Sequence, residues 1–298
     1  MVMVVGAGGF IGRHLCKMLT DRGVAIMACS SGTPGGIDLD SGLFSTEVRF
    51  SKGLDAVYFL AQSPRYHQTP QQSAHLLAVN CVAAVQAAEA ARQAGATRFI
   101  YASTGNVYAP SFEPLHEASP LRRDDWYALS KIHAEEGLSL YRNSMSVTVA
   151  RIFGVYGPGQ TDKLIPNLMH SIQSGAAIRL APNPADEKDN GGLRISLCYI
   201  DDVVDIFCRL ITTKSPDVIN IAGPETLSIR DIAMAVGQRI GKTPCFDITP
   251  RPREFDLIAD ITRLMEGFRV DFTPFVDGIS RTLNVGLNRI CQSHILYI

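Results

Sequence analysis

A tyrosine and a lysine stand four residues apart in the segment DDWYALSK, residues 124–131. Positions i and i+4 of a helix lie on the same face, so Tyr127 and Lys131 are expected to be neighbours. A nearby ammonium lowers the pKa of a phenol, and such a phenol can exchange protons near neutral pH. A tyrosine that packs on the stem of a surface lysine has the same spacing, so this pair alone leaves both interpretations open.

A glycine-rich turn follows the first apolar run of the chain. The segment GAGGFIG places Gly6, Gly9 and Gly12 between a predicted strand at 2–5 and a predicted helix at 11–22. Glycines at such a junction allow a tight turn and bring backbone N–H groups close to a pyrophosphate at the helix N-terminus. We therefore predict a dinucleotide site here, although a plain strand–helix turn has the same composition.

The end of the second predicted strand does not decide between NAD and NADP. An acidic residue usually binds the adenosine ribose there, but this chain reads ACSS at 28–31. No arginine follows directly to bind a 2′-phosphate. Arg13 either reaches that phosphate or is solvated, and Asp38 and Leu39 are predicted to flank the adenine.

Apolar, β-rich segments alternate with helical segments through the first half of the chain. Buried strands that alternate with helices indicate βαβ units. We predict an α/β fold: a Rossmann-like, doubly wound parallel sheet over 1–158, with returning strands at about 196–223. Most of 159–298 is predicted to form a smaller, C-terminal substrate-binding domain. The glycine-rich segment 30–54 has no clear helix, so one crossover is expected to be short or missing.

The composition is typical of an ordinary globular protein. The 298 residues are 46% hydrophobic and 19% charged, with a formal net charge of −1. Without a long basic run, this balance argues against nucleic acid and membranes as partners. No membrane span and no signal peptide are predicted. The cysteines form no C-x-x-C pair, so we predict a reducing, cytoplasmic setting and no metal site.

Together, these motifs resemble the extended short-chain dehydrogenase/reductase family, in its nucleotide-sugar epimerase and dehydratase group. FLAQ (59–62) is similar to the family's H-L-A-A strand end, with Gln62 in place of the last alanine. STGNVY, ARIFGVYGPG and YIDDVVD follow in the family's order. The resemblance covers most of the chain. It implies an NAD(P)-dependent enzyme, a nucleotide-sugar substrate, and a homodimer formed through the helices near 71–94 and 126–143.

The resemblance also implies roles for individual residues. It assigns catalysis to Thr104, Tyr127 and Lys131: the threonine holds the reacting sugar oxygen, the phenol exchanges its proton, and the lysine lowers the pKa of the phenol. Substrate contacts are implied for Ser103, Thr104, Arg194 and Arg251. Either arginine binds the pyrophosphate or is an ordinary surface residue.

The cofactor implied by the resemblance is NAD, with NADP as an alternative. Its expected contacts are Gly6, Gly9, Phe10, Ile11, Ser30, Asp38, Leu39, Leu60, Ala61, Gln62, Ala102, Tyr127, Lys131 and Phe153.

Departures from the family pattern narrow the reaction. Trp126 stands where the family usually has proline, and Gly154 replaces an asparagine. The family's dehydratases carry Asp-Glu after the catalytic threonine, where this chain has Gly105 and Asn106, which supply no acid or base for elimination. The resemblance then implies 4-epimerisation through a transient keto sugar, with single ketoreduction as the alternative. A non-catalytic dinucleotide sensor is the competing class, and the complete Thr-Tyr-Lys set favours an enzyme.

Overall fold

The structure is a computed structural model that describes residues 1–283 apart from 34, 47 and 187. Its strands are β1 (Val2–Val5), β2 (Ile26–Cys29), β3 (Ala56–Phe59), β4 (Arg98–Thr104), β5 (Ser146–Ile152), β6 (Gly154–Tyr156), β7 (Ile178–Leu180), β8 (Arg194–Tyr199), β9 (Val218–Ile221), β10 (Thr226–Ser228) and β11 (Phe246–Ile248). Its α-helices include α1 (Phe10–Asp21), α2 (Ser73–Leu77), α3 (Ala83–Gln93), α4 (Trp126–Ser139), α5 (Leu164–Ser174), α6 (Ile200–Leu210), α7 (Ile229–Ile240) and α8 (Thr262–Gly267).

Six of these strands form a parallel sheet in the order β2-β1-β3-β4-β5-β9. Successive residues of a strand point to opposite faces, so Val2 and Val4 pack in one core while Met3 and Val5 pack in the other. Helices α1 and α6 contribute to the first core, and α3 and α4 contribute to the second. The predicted doubly wound fold is confirmed. The strand order reverses between β1 and β3, which is where such folds bind ligands beyond the strand ends.

Only one of the two strands expected to return to this sheet joins it. Strand β9 pairs with β5, whereas β8 lies between β10 and β6 in a separate three-stranded sheet. The change of partner occurs at Gly154, where β6 begins just after the end of β5 and pairs with β8.

The connection between β2 and β3 contains no helix among its described residues, as the glycine-rich sequence predicts. An isolated bridge between Ile37 and Phe44 holds this connection as a compact loop. The carboxylate of Asp38 accepts hydrogen bonds from the backbone N–H groups of Asp40 and Ser41. One face of the sheet therefore lacks a crossover helix at this point.

Helices α2 and α3 form one continuous helix through a π-helical turn at Ala78–Val82. By length and composition alone, Ser73–Gln93 is apolar enough to cross a bilayer, whereas the sequence analysis predicts no membrane span. Core helices of soluble proteins pass the same test. Here the alanines of α3 are buried and pack against the sheet, so the apolar face is used within the fold.

Candidate active site

The glycine turn brings three strand ends together. At Gly6, whose φ is +90°, an added Cβ would lie 2.7 Å from the backbone nitrogen of Ala61, just beyond β3. At Gly12 an added Cβ would lie 2.2 Å from the carbonyl oxygen of Gly6. An added Cβ at Gly8 would lie 3.2 Å from the hydroxyl of Ser30, just beyond β2. The turn, Ser30 and the end of β3 therefore surround one small space.

This space suits a dinucleotide pyrophosphate. Helix α1 begins there with Gly9 as its N-cap, and no side chain caps the helix. The first turn of a helix has N–H groups without intrahelical acceptors, and the first turn of α1 contains no acidic residue. Phe10 and Ile11 lie in this turn, and Leu60 and Ala61 face it across Gly6. The predicted cofactor residues at this end of the sheet are thus brought together around backbone donors.

Three residues that are predicted to contact the adenosine part of the cofactor also have partners within the protein. Hydrogen bonds from Ser41 lower the pKa of Asp38, which keeps this carboxylate charged. The Leu39 side chain is exposed, and its carbonyl accepts from the Arg65 guanidinium. Arg13 donates to the carbonyl of Gly159 and lies 5.3 Å from the ring centroid of Phe10. The Arg13 guanidinium is therefore engaged with the protein.

Helix α4 carries the tyrosine and the lysine. Its N-cap is Asp125, whose carboxylate accepts a 2.9 Å hydrogen bond from the N–H of Ala128. The phenol of Tyr127 donates a 2.9 Å hydrogen bond to Oε1 of Gln62. One turn further along, the Lys131 ammonium donates a 2.8 Å hydrogen bond to the carbonyl of Ala102. Helix α4 thus places the Tyr127 phenol near the end of β3 and the Lys131 ammonium next to β4.

Burial sets the pKa values of both groups. It lowers the pKa of Lys131 to about 7, and the negative charge of Glu135 opposes this effect. It raises the pKa of Tyr127, and the Thr104 hydroxyl opposes that rise. The expectation that Lys131 lowers the pKa of the phenol is therefore not met by the protein alone, because desolvation of the phenol outweighs the other influences on it.

Threonine and serine at the end of β4 point in opposite directions. Thr104 interacts with Tyr127, and its hydroxyl also accepts from the N–H of Asn106. Ser103 is buried and donates instead to the carboxylate of Glu135. Side chains alternate along a strand, so the two hydroxyls cannot serve the same side. Ser103 therefore contacts helix α4 through Glu135, and its contact with a substrate stays a prediction.

A small cleft lies beside the end of β4. Its volume is about 20 Å³, and Gly105, Asn106 and the segment 255–257 contribute to its lining. The ring of Phe153 packs against Gly105, where an added Cβ would lie 2.9 Å from Phe153 Cδ1. Phe153 therefore closes the side of β4 next to the cleft, while its contact with a cofactor stays a prediction.

The two predicted substrate arginines are exposed. Arg194 begins β8, and its backbone N–H donates to the Asp256 carboxylate. Arg251 pairs with Glu254 at the surface. A third arginine was missed: Arg253 is buried and bonds both Asp256 and the loop residue Asp189, with no motif to single it out. Arg253 fixes the segment that lines the cleft. Substrate binding by Arg194 and Arg251 stays a prediction.

Two further residues near the phenol were also missed by the sequence analysis. The Tyr66 ring lies 5.5 Å from that of Tyr127, between centroids. The Lys163 ammonium donates to the Tyr66 hydroxyl and lies 4.9 Å from the centroid of that ring. Neither residue belongs to a motif, and they lie 97 positions apart in the chain. Only the fold brings this tyrosine and this cation next to Tyr127.

The fold and the site together define an extended short-chain dehydrogenase/reductase, as the motifs predict. The chain belongs to the NAD-dependent epimerase/dehydratase family, whose model matches residues 2–222. It is thus an enzyme-family member with NAD as its cofactor, and the non-catalytic alternative is not supported. The glycine turn and the carboxyl ends of β2 and β3 are the parts of this chain that fit NAD.

Several known proteins are similar to the chain along most of its length. The dTDP-4-dehydro-6-deoxy-D-allose reductase of Streptomyces bikiniensis is 26% identical over 314 residues, with 94% of each chain covered. The UDP-glucose 4-epimerase of Mycolicibacterium smegmatis is 27% identical over 231 residues, covering 70% of this chain and 72% of the relative. The solved structure of MoeE5 with UDP-glucuronic acid and NAD is 24% identical, with a TM-score of 0.79, covering 97% of this chain and 99% of MoeE5.

The lowered pKa of Lys131 predicts a pH-dependent stability. An unfolded lysine titrates near pH 10.4, whereas folded Lys131 has a pKa of about 7. Between these two pH values Lys131 is protonated in the unfolded chain but neutral in the folded chain. The free energy of unfolding therefore rises with pH by about 1 kcal/mol per pH unit. Urea unfolding of the wild type and of Lys131→Met should therefore diverge as the pH falls from 10 toward 7, with Lys131→Met the more stable at the lower pH. Parallel curves would contradict the assigned pKa.

Proposed function

We propose that the protein is an NAD-dependent nucleotide-sugar 4-epimerase that acts by transient oxidation at C4, with NADP as an alternative cofactor. The observation that supports this most strongly is the surroundings of the Tyr127 phenol. It meets the amide of Gln62 and the hydroxyl of Thr104, neither of which titrates in the physiological range. Gly105 and Asn106 follow without a carboxylate. These residues can exchange a proton at one sugar oxygen but cannot eliminate water.

In this proposal, NAD supplies hydride acceptance and return when it is bound. The Tyr127 phenolate takes the proton of the sugar 4-hydroxyl while the C4–H bond breaks, and gives it back to the same oxygen when the hydride returns. Thr104 holds that oxygen by a hydrogen bond. Lys131 provides a positive charge one helical turn away, which favours the phenolate that burial disfavours. Reversal of the sugar face between the two transfers inverts C4, with no net change in the cofactor.

Ketoreduction of a nucleotide sugar is the second candidate. The similarity to dTDP-4-dehydro-6-deoxy-D-allose reductase extends over 94% of both chains, more than the similarity to the UDP-glucose 4-epimerase. The same residues would serve, with Tyr127 donating its proton to a keto oxygen once. In that case the product leaves after one hydride transfer, and each turnover consumes one reduced cofactor.

Product analysis separates the two candidates. Nucleotide sugars are first screened for protection against thermal unfolding in the presence of NAD, and those that protect are incubated with the protein. For a 4-epimerase, NMR should show the C4 epimer, while absorbance at the reduced-nicotinamide band stays unchanged at equilibrium. Net consumption of reduced cofactor with a keto sugar would favour the ketoreductase instead. A 4-keto-6-deoxy product would contradict the inference from Gly105 and Asn106.

We also propose a homodimer, in a cytoplasmic setting, with the substrate nucleotide bound mainly by the smaller domain in 159–298. The support for the dimer is two exposed apolar side chains on the elements expected to form it. Val82 is 45% exposed in the helix Ser73–Gln93, and Leu140 is 79% exposed directly after α4. A dimer formed through these elements would cover both apolar side chains.

Light scattering at micromolar concentration tests this assembly. The wild type should have the mass of a dimer, and Leu140→Glu should shift it toward the monomer because a charge would be buried at the interface. Met265→Glu, a change at a half-exposed methionine on α8, is the matched control and should leave the mass unchanged. A monomeric wild type would rule out the proposed dimer.

A further inference from the structure

We propose that Glu135 and Arg151 form a buried charge pair that positions Lys131, which makes both of them positioning residues for the reaction. The Glu135 carboxylate favours the charged form of Lys131, and Arg151 moderates that effect. This inference rests on the proposed function in one respect: it takes the reaction to need a charged Lys131. Neither residue touches the phenol or the cofactor turn. Arg151 lies within the ARIFGVYGPG motif, but the sequence analysis gives neither residue a role.

The pair is held by several hydrogen bonds in the interior. The Arg151 side chain donates to both carboxylate oxygens of Glu135, at 3.2 Å from Nε and at 2.6 Å from Nη2. Ser103 donates to the same carboxylate. In the register of the sheet, Ser103 lies directly beside Arg151, so both side chains reach the same face, where α4 lies. Arg151 and Glu135 are each less than a tenth exposed.

Arg151 is itself fixed from the side opposite Glu135. Its Nη1 donates a 3.0 Å hydrogen bond to the carbonyl of Glu117, and its guanidinium carbon lies 4.9 Å from the ring centroid of Tyr108. The Tyr108 hydroxyl in turn donates to Asn220 on β9 at 2.6 Å. The pair therefore cannot move without disturbing β4, β5 and β9 together.

Helix α4 is attached to β4 at two consecutive residues. The Lys131 ammonium donates to the carbonyl of Ala102, and the next residue, Ser103, donates to Glu135 one turn further along the helix. The two contacts fix both the position and the rotation of α4 on the strand. Since Tyr127 lies one turn before Lys131, the same attachment aims the phenol.

The pair also acts on Lys131 through charge. Lys131 faces the Glu135 carboxylate on its own helix and the Tyr101 ring on β4, 4.9 Å from the ring centroid. Desolvation favours the neutral amine, and the carboxylate is the group that opposes it. Arg151 pairs with that carboxylate, so its positive charge weakens the effect of the carboxylate on Lys131.

The remaining charged and titratable neighbours lie further out. On the far side of Arg151 is Glu117, whose own side chain faces Arg263 at 3.7 Å. Tyr101 and Tyr108, whose pKa values are raised by burial, also face Glu135. Among the described residues, the Glu135 carboxylate is thus the charge that favours the charged form of Lys131, and Arg151 is the cation bound to that carboxylate.

Stability alone does not explain such a pair. A buried ion pair often contributes no more than an apolar pair of similar size, whereas removal of one partner is costly because it leaves a charge unpaired. A positioning role makes a sharper prediction. Glu135→Gln removes the negative charge next to Lys131 and uncovers the positive one, whereas Arg151→Gln strengthens the negative one. The two variants should shift the titration of Lys131 in opposite directions.

The first readout does not involve substrate or cofactor. Urea unfolding across a pH series, compared for each variant with and without Lys131→Met, locates the pH at which the contribution of Lys131 begins to rise. We expect this onset about one pH unit lower in Glu135→Gln and about one unit higher in Arg151→Gln. Equal onsets in the two variants would overturn the proposal, even if no sugar substrate is known.

The second readout is the pH profile of turnover on the substrate found in the screen. The high-pH limb of this profile, where Lys131 loses its proton, should move to lower pH in Glu135→Gln and to higher pH in Arg151→Gln. NAD titrations check that the cofactor site is intact in both variants. A uniform loss of turnover with no shift of the high-pH limb would show that the pair is purely structural and would overturn the proposal. If a single variant does not fold, the double variant Glu135→Gln/Arg151→Gln has no unpaired charge. Its onset should lie below that of the wild type, and an unchanged onset would again overturn the proposal.

Discussion

A lysine buried at the base of the site is the constraint on which the rest of the arrangement depends. Lys131 reaches the carbonyl of Ala102 through the interior, and burial brings its pKa down to about 7. A protein can keep such a group charged only with a nearby carboxylate, and Glu135 occupies that position. That carboxylate needs its own partners, so Arg151 and Ser103 are drawn into the same interior network. The acid–base chemistry proposed for Tyr127 would thus depend on buried charges that do not line the cleft.

The parallel sheet explains why all the reactive groups meet in one place. Strands β1, β3 and β4 end at the same edge, so the glycine turn, Gln62 and Thr104 lie side by side although they are far apart in the chain. Gly6 and Gly12 lack side chains where the backbone of the turn comes closest to its neighbours. A helix that starts with free N–H groups at this edge attracts an anionic cofactor, and a second helix, α4, brings the phenol from the opposite face of the sheet.

Much of this could be predicted from the sequence because it depends on local pattern. The glycine turn, the missing helix after β2 and the four-residue spacing of Tyr127 and Lys131 are each encoded within a few neighbouring residues. Contacts between distant segments could not be predicted in the same way. The hydrogen bond of Tyr127 to Gln62, the approach of Tyr66, and the pairing of β8 away from the main sheet depend on packing. The hydrogen bond of Ser103 to Glu135 and the burial that raises the pKa of Tyr127 depend on the fold in the same way.

The central claim is that Tyr127 exchanges the proton during redox chemistry on a nucleotide sugar. A single-turnover experiment tests it most directly: the protein and NAD are mixed with the nucleotide sugar that protects against unfolding, and the reduced-nicotinamide absorbance is followed. In the wild type a transient rise should appear. In Tyr127→Phe, which keeps the aromatic ring, NAD should still bind, but at saturating NAD the rise should be slower by about 10²–10⁴-fold, the usual contribution of a general acid–base group. A Tyr127→Phe variant that reduces the cofactor at the wild-type rate would contradict the account.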